Sequence, residues 1–63
     1  MILDRIIELE NKVIKNKKRL PSIVRLNYQS YVCLTKEIDA NLYLSEIHGM
    51  CIEIQPIKNI IVE

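Results

Sequence analysis

Sixty-three residues (7.4 kDa), 49% of them hydrophobic and 27% charged, with a single glycine, make one small globular domain spanning residues 1–63. They exclude a disordered tail, a collagen-like or low-complexity chain and a disulfide-dense scaffold. A net charge of +1 and a pI near 7.8 lack the basic excess of a dedicated nucleic-acid binder. A chain this short buries only about 60% of the surface its unfolded form exposes, and its apolar content points to a partner chain as the missing support.

Residues 2 to 19 read as a helix. Ile2, Ile6, Leu9 and Val13 recur at helical spacing, Leu3, Ile7 and Ile14 widen the stripe, and Asp4, Glu8, Asn11, Lys15 and Lys18 fall opposite. Acids near the start and Lys15, Lys17, Lys18 and Arg19 at the end match the helix macrodipole. Pro21 stops the helix and pushes Leu20 toward an extended conformation. Glu10 and Lys17 project into the stripe of Leu3, Ile7 and Ile14. A charge there is costly to bury unpaired. Either both snorkel to water, or the stripe faces a partner and Glu10 and Lys17 pair across it, which makes them candidate partner-binding residues.

Ser22 to Asn27 reads as a strand carrying Ile23, Val24 and Leu26. Asn27 is the candidate N-cap of a second helix over residues 28–41. Tyr28, Tyr31, Leu34, Ile38 and Leu42 mark its apolar face, and both tyrosines are expected in the core. Gln29, Ser30, Cys33, Lys36, Glu37 and Ala40 mark the other face. After Asn41 the period falls to two. Tyr43, Ser45 and Ile47 alternate with Leu44, Glu46 and His48, then Gly49 supplies a turn or bulge. Met50, Ile52 and Ile54 alternate with Cys51, Glu53 and Gln55, a one-sided strand. Pro56 to Asn59 is a connection of hairpin length, and Ile60 to Val62 makes the closing strand. Its open edge makes Ile60 and Val62 further candidates for partner binding. The order is N-terminal helix, strand, helix, then a C-terminal β-hairpin forming a small sheet covered by helices: an α+β fold.

The chemistry-bearing residues are few. Cys33, His48 and Cys51 are the soft metal ligands, and no Cys-x₂₋₄-Cys pair supports a zinc site. A Cys33–His48 nucleophilic pair needs proximity and a third orienting group, and the sequence places neither. With no P-loop and no paired-carboxylate motif, no catalytic residue, metal or cofactor is expected, and the chain reads as a non-enzyme. Met1-Ile2-Leu3 runs straight into Asp4 and Arg5, unlike a signal peptide, and no apolar run approaches the roughly 18 residues of a membrane span. A cytoplasmic setting follows, with no membrane partner and with both cysteines free. The run Lys15-Asn16-Lys17-Lys18-Arg19 reads as a solvated helix end, or as a grip for phosphates or an acidic partner.

The segment Leu20-Pro21-Ser22-Ile23-Val24-Arg25-Leu26-Asn27-Tyr28 resembles the opening of a ribbon-helix-helix repressor. That resemblance implies a strand paired across a dimer, with Arg25 and Asn27 reading the major groove. The family continues with a second helix, where this chain supplies strands. More of the chain, through Glu46-Ile47-His48-Gly49-Met50-Cys51-Ile52-Glu53-Ile54 and Asn59-Ile60-Ile61-Val62, looks like small phage and prophage accessory proteins of low-GC Gram-positive bacteria. The 12 isoleucines fit AT-rich coding. This resemblance implies a non-enzymatic protein that acts by binding, often by blocking a host protein. The expectation is therefore a homo-oligomeric binder of a host protein in the host cytoplasm, with a dimeric DNA-binding regulator as the alternative.

Overall fold

The computed structural model of the chain describes residues 1–41 and 43–63. Its elements are helix α1 (Ile2–Lys17), strand β1 (Ile23–Leu26), helix α2 (Tyr28–Glu37), and strands β2 (Glu46–Ile47), β3 (Met50–Ile54) and β4 (Ile61–Val62). The four strands form one sheet in the order β2-β3-β1-β4. This is the α+β arrangement that the alternation of periods implied.

β1 lies parallel to β3, with Ile23 beside Cys51 and Leu26 beside Ile54. β2 and β3 form an antiparallel hairpin that pairs Ile47 with Met50. Its two-residue turn, His48-Gly49, has positive φ at both positions (50° and 78°), as the tight hairpin turns that follow strand twist require. β4 runs antiparallel to β1, Val62 opposite Val24 and Ile61 opposite Arg25. The closing strand therefore does not fold back on β3, as the length of Pro56 to Asn59 suggested. Two interactions carry it across. Asn27 Nδ2 donates to the Ile57 carbonyl at 3.0 Å, and the amides of Ser22 and Ile23 donate to the Glu63 carbonyl at 2.8 and 2.9 Å. The outer edge of β1 would otherwise be left unpaired.

Both helices stop earlier than periodicity alone suggested. α1 ends at Lys17 because Lys18 turns left-handed (φ 56°) and returns its amide to the Ile14 carbonyl at 3.1 Å. α2 ends at Glu37, and Asp39 is left-handed at φ 54°. Glycine usually takes such positions. This chain spends its one glycine on the hairpin. Leu42, expected on the apolar face of α2, lies outside the described residues.

The core lies between the sheet and the two helices, which share one face of it. Ile6 from α1, Tyr31 and Leu34 from α2, Val24 and Leu26 from β1, and Ile47 and Met50 from the hairpin form one buried cluster. The Tyr31 hydroxyl donates to the Leu44 carbonyl at 2.7 Å, so the ring is buried without stranding its polar end. Tyr28, also expected in the core, is 60% exposed. It is the first residue of α2, one turn before the stretch in which Tyr31 and Leu34 are buried.

The N-terminus of α1 is tied to the C-terminus of α2. Met1 offers no side-chain cap, and the Glu37 carboxylate replaces it, accepting from the Ile2 amide at 2.8 Å and the Leu3 amide at 3.0 Å. The Leu3 and Ile2 amides, helped by the Met1 ammonium, hold the Glu37 carboxyl below its ordinary value against a smaller opposing effect of desolvation. A carboxyl lowered in the folded state stabilises it fully above the ordinary glutamate range, and that contribution is lost as pH falls through the lowered value. Acid should therefore loosen the start of α1 below the usual glutamate range. The Ile2 and Leu3 amide resonances should shift together in an NMR titration, and Glu37→Gln should remove that step. A titration of these amides unchanged by Glu37→Gln would show that another group caps the helix.

Candidate functional site

Strand alternation divides the sheet into two unlike faces. Val24, Leu26, Met50, Ile52 and Val62 point toward the helices. Ile23, Arg25, Glu46, Cys51, Glu53, Ile61 and Glu63 share the opposite face, because register pairs Ile23 with Cys51, Arg25 with Glu53 and Ile61, and Glu46 with Cys51. Among the described residues no helix packs on this second face. Cys51, Glu46 and Glu63 are exposed, Ile61 is 41% exposed, and Ile23, Arg25 and Glu53 are half-buried by one another.

Arg25 stands at the centre of that face. Its guanidinium donates to Glu53 through Nε at 3.4 Å and to Glu63 through Nη1. Gln55 Nε2 also donates to Glu53. Three carboxylates (Glu46, Glu53, Glu63) against one guanidinium leave the face net acidic. Asn27, the other residue assigned to DNA reading, caps α2: its Oδ1 accepts from the Ser30 amide at 2.8 Å while its Nδ2 holds Ile57. The N-cap that its type and position suggested is thus observed.

The four residues assigned to partner binding do not converge. Glu10 is half-buried, and its carboxylate lies 3.2 Å from His48 Nδ1 at the hairpin turn. The Glu10 carboxylate in the stripe thus has a neighbour within the chain, at the hairpin turn. Lys17 is exposed in the last turn of α1. Ile60 and Val62 are half-buried against the core, so the exposed apolar side chain of the closing strand is Ile61, one position from each. A one-residue shift in a strand exchanges the faces, and alternation alone does not say which set a helix will cover.

Charge is segregated along the chain. Between Lys12 and Arg19 there are five cations and no anion. This end of α1 also leaves Ile14 38% and Leu20 75% exposed. The basic run is thus interleaved with apolar side chains on the surface.

Cys33 on α2 and Cys51 on β3 are both exposed free thiols, as their polar-side positions implied. Among the described residues no three His, Cys, Asp or Glu side chains gather to hold a metal ion, and no helix is long and apolar enough to cross a membrane. Both thiols should react with a neutral alkylating reagent in the native protein. Intact-mass spectrometry should show two additions before any unfolding. Protection of either thiol would contradict its exposed placement.

No protein-family model, curated protein or solved structure matches this chain.

Proposed function

We propose that this chain is a non-enzymatic protein-binding domain of a phage or mobile element, self-associating and directed at a host protein whose action it blocks. The observation that carries this reading is the uncovered face of the sheet. The two helices cover one face of the sheet, and the other presents Ile23, Ile61 and Cys51 around the Arg25–Glu53–Glu63 cluster. A surface that mixes exposed apolar side chains with charges of one prevailing sign suits a protein partner of complementary charge.

The DNA-binding alternative draws less support from the same residues. A ribbon that pairs across a dimer needs a free strand edge, whereas β1 is paired on both edges within the chain. Arg25 is engaged by two carboxylates, Asn27 is spent on capping, and a net acidic face repels phosphates.

Affinity capture from a lysate of a low-GC Gram-positive host tests the proposal. The wild-type chain should retain a stoichiometric host protein, and Ile61→Asp should lose it while keeping its helical circular-dichroism signal. Equal recovery by both chains, or no stoichiometric partner, would overturn it.

A further inference from the structure

We infer that the uncovered sheet face receives the basic, apolar end of helix α1 from a second copy of the chain, in a head-to-tail contact. The inference rests on the protein-binding reading above and names an occupant for the same face. Three observations carry it.

The first is architectural. All-parallel sheets are covered on both faces, and the parallel pair β1–β3 at the centre of this sheet has helices on a single face. The sheet is three strand spacings wide, roughly 14 Å, and a 16-residue helix is about 24 Å long. Of that length, the basic stretch Lys12–Lys17 supplies about 9 Å, which covers about two strand spacings.

The second is charge. The uncovered face carries three carboxylates against one guanidinium, spread from Glu46 on β2 to Glu63 beyond β4. The end of α1 and the two residues after it carry five cations and no anion, from Lys12 to Arg19. Among the described residues no ion pair joins these surfaces: the guanidinium on Glu53 and Glu63 is that of Arg25. Lys15, Lys17, Lys18 and Arg19 are exposed.

The third is apolar matching. Ile14 and Leu20 are exposed among those cations, and Ile23 and Ile61 are partly exposed among those carboxylates. Each surface thus offers apolar contact within a charged surround of opposite sign. Such complementarity sets orientation and excludes like-charged alternatives.

Geometry fixes the symmetry. α1 belongs to the layer on the covered side of the sheet, so its free flank and the uncovered face point different ways. One partner cannot engage both at once, and the contact is heterologous: it extends from copy to copy. A standard interface takes about 800 Å² per partner, close to a fifth of the 4438 Å² surface of this chain. One small sheet face supplies less, so association should be weak and concentration-dependent.

Sedimentation equilibrium on two complementary variants tests this. Glu46→Lys with Cys51→Lys blocks the face at two exposed positions remote from the core. Ile14→Gln with Lys17→Gln blanks the helix end without adding opposite charge. Wild-type mass should rise with concentration beyond twice 7.4 kDa. Each variant alone should remain a monomer, with melting behaviour that shows it folded. An equimolar mixture should form a particle of two chains and stop there, since one free helix end meets one free face. Exchanging Cys51→Lys for Ile61→Lys gives a second face variant should the first fail to fold.

Other results overturn the inference. A wild-type chain that stays monomeric up to about 1 mM, where even a weak contact is populated, removes the second copy as occupant. Association that persists in either variant places the contact elsewhere. Variants that are monomeric alone and also together indicate a two-fold contact. If, in any of these cases, the face variant still loses the captured host protein, the protein-binding reading stands and only the second-copy occupant falls.

Discussion

Leu26→Ala should remove about half or more of the stability of the chain. Leu26 is fully buried on the central strand, facing both helices. Truncating a buried leucine costs about 2–5 kcal/mol, because the lost transfer energy adds to the cavity left behind. A domain of this size holds roughly 3–9 kcal/mol in total at ordinary stability per residue, so one truncation removes a large share of it. Ile54→Ala is the matched control: it pairs with Leu26 on the same face of the sheet but is 46% exposed at the end of β3. Its cost should stay below about 1 kcal/mol. Urea unfolding followed by circular dichroism would compare the two. Equal costs would mean that the helices do not cover the face of the sheet assigned to them.

Arg25→Ala should destabilise the fold by about 1–2 kcal/mol, between the small value of an exposed ion pair and the larger one of a buried pair. The arginine side chain is 25% exposed, and its partners Glu53 and Glu63 are 44% and 51% exposed. Removing it leaves two carboxylates sharing one region of an already acidic face. The loss should therefore shrink in high salt, which screens that repulsion. Denaturant midpoints at low and high salt would measure it. No loss at either would mean that the guanidinium is not committed to the sheet and is available to phosphates, which would revive the DNA-binding alternative.

The alternation of periods made the element order legible. Val24 with Leu26 and Met50 with Ile52 are each two apart, and Ile6 with Val13 and Tyr31 with Leu34 keep helical spacing, so type and core face follow from local geometry. Asn27 as an N-cap is local in the same sense. The sheet order was not legible, because nothing within Pro56 to Asn59 distinguishes a return to β3 from a passage to β1. That choice is made by Asn27 holding Ile57 and by the edge of β1 seeking Glu63, contacts 30 or more residues apart in sequence. The same limit applied to the site. Glu10 was visible as an anomaly in an apolar stripe, but its partner His48 lies on another element. Ile61 and Ile23 look like any other strand isoleucines until the layer that leaves them uncovered is known.

The strand order also constrains how the chain reaches its fold. Among the described residues β2 and β3 are the only sheet neighbours joined by a tight turn, so their hairpin closes a short loop and forms at little entropic expense. β1 is made before both of its neighbours and must wait for them, one arriving through a parallel crossover and the other as the last strand. Pairings between distant segments slow folding relative to a helical protein of similar size. During that interval Ile23, Val24 and Leu26 present two bare edges, and an unpaired central strand is a template for another chain. Crowded nascent copies would therefore meet first through β1, by a route unrelated to any contact that the finished surface makes.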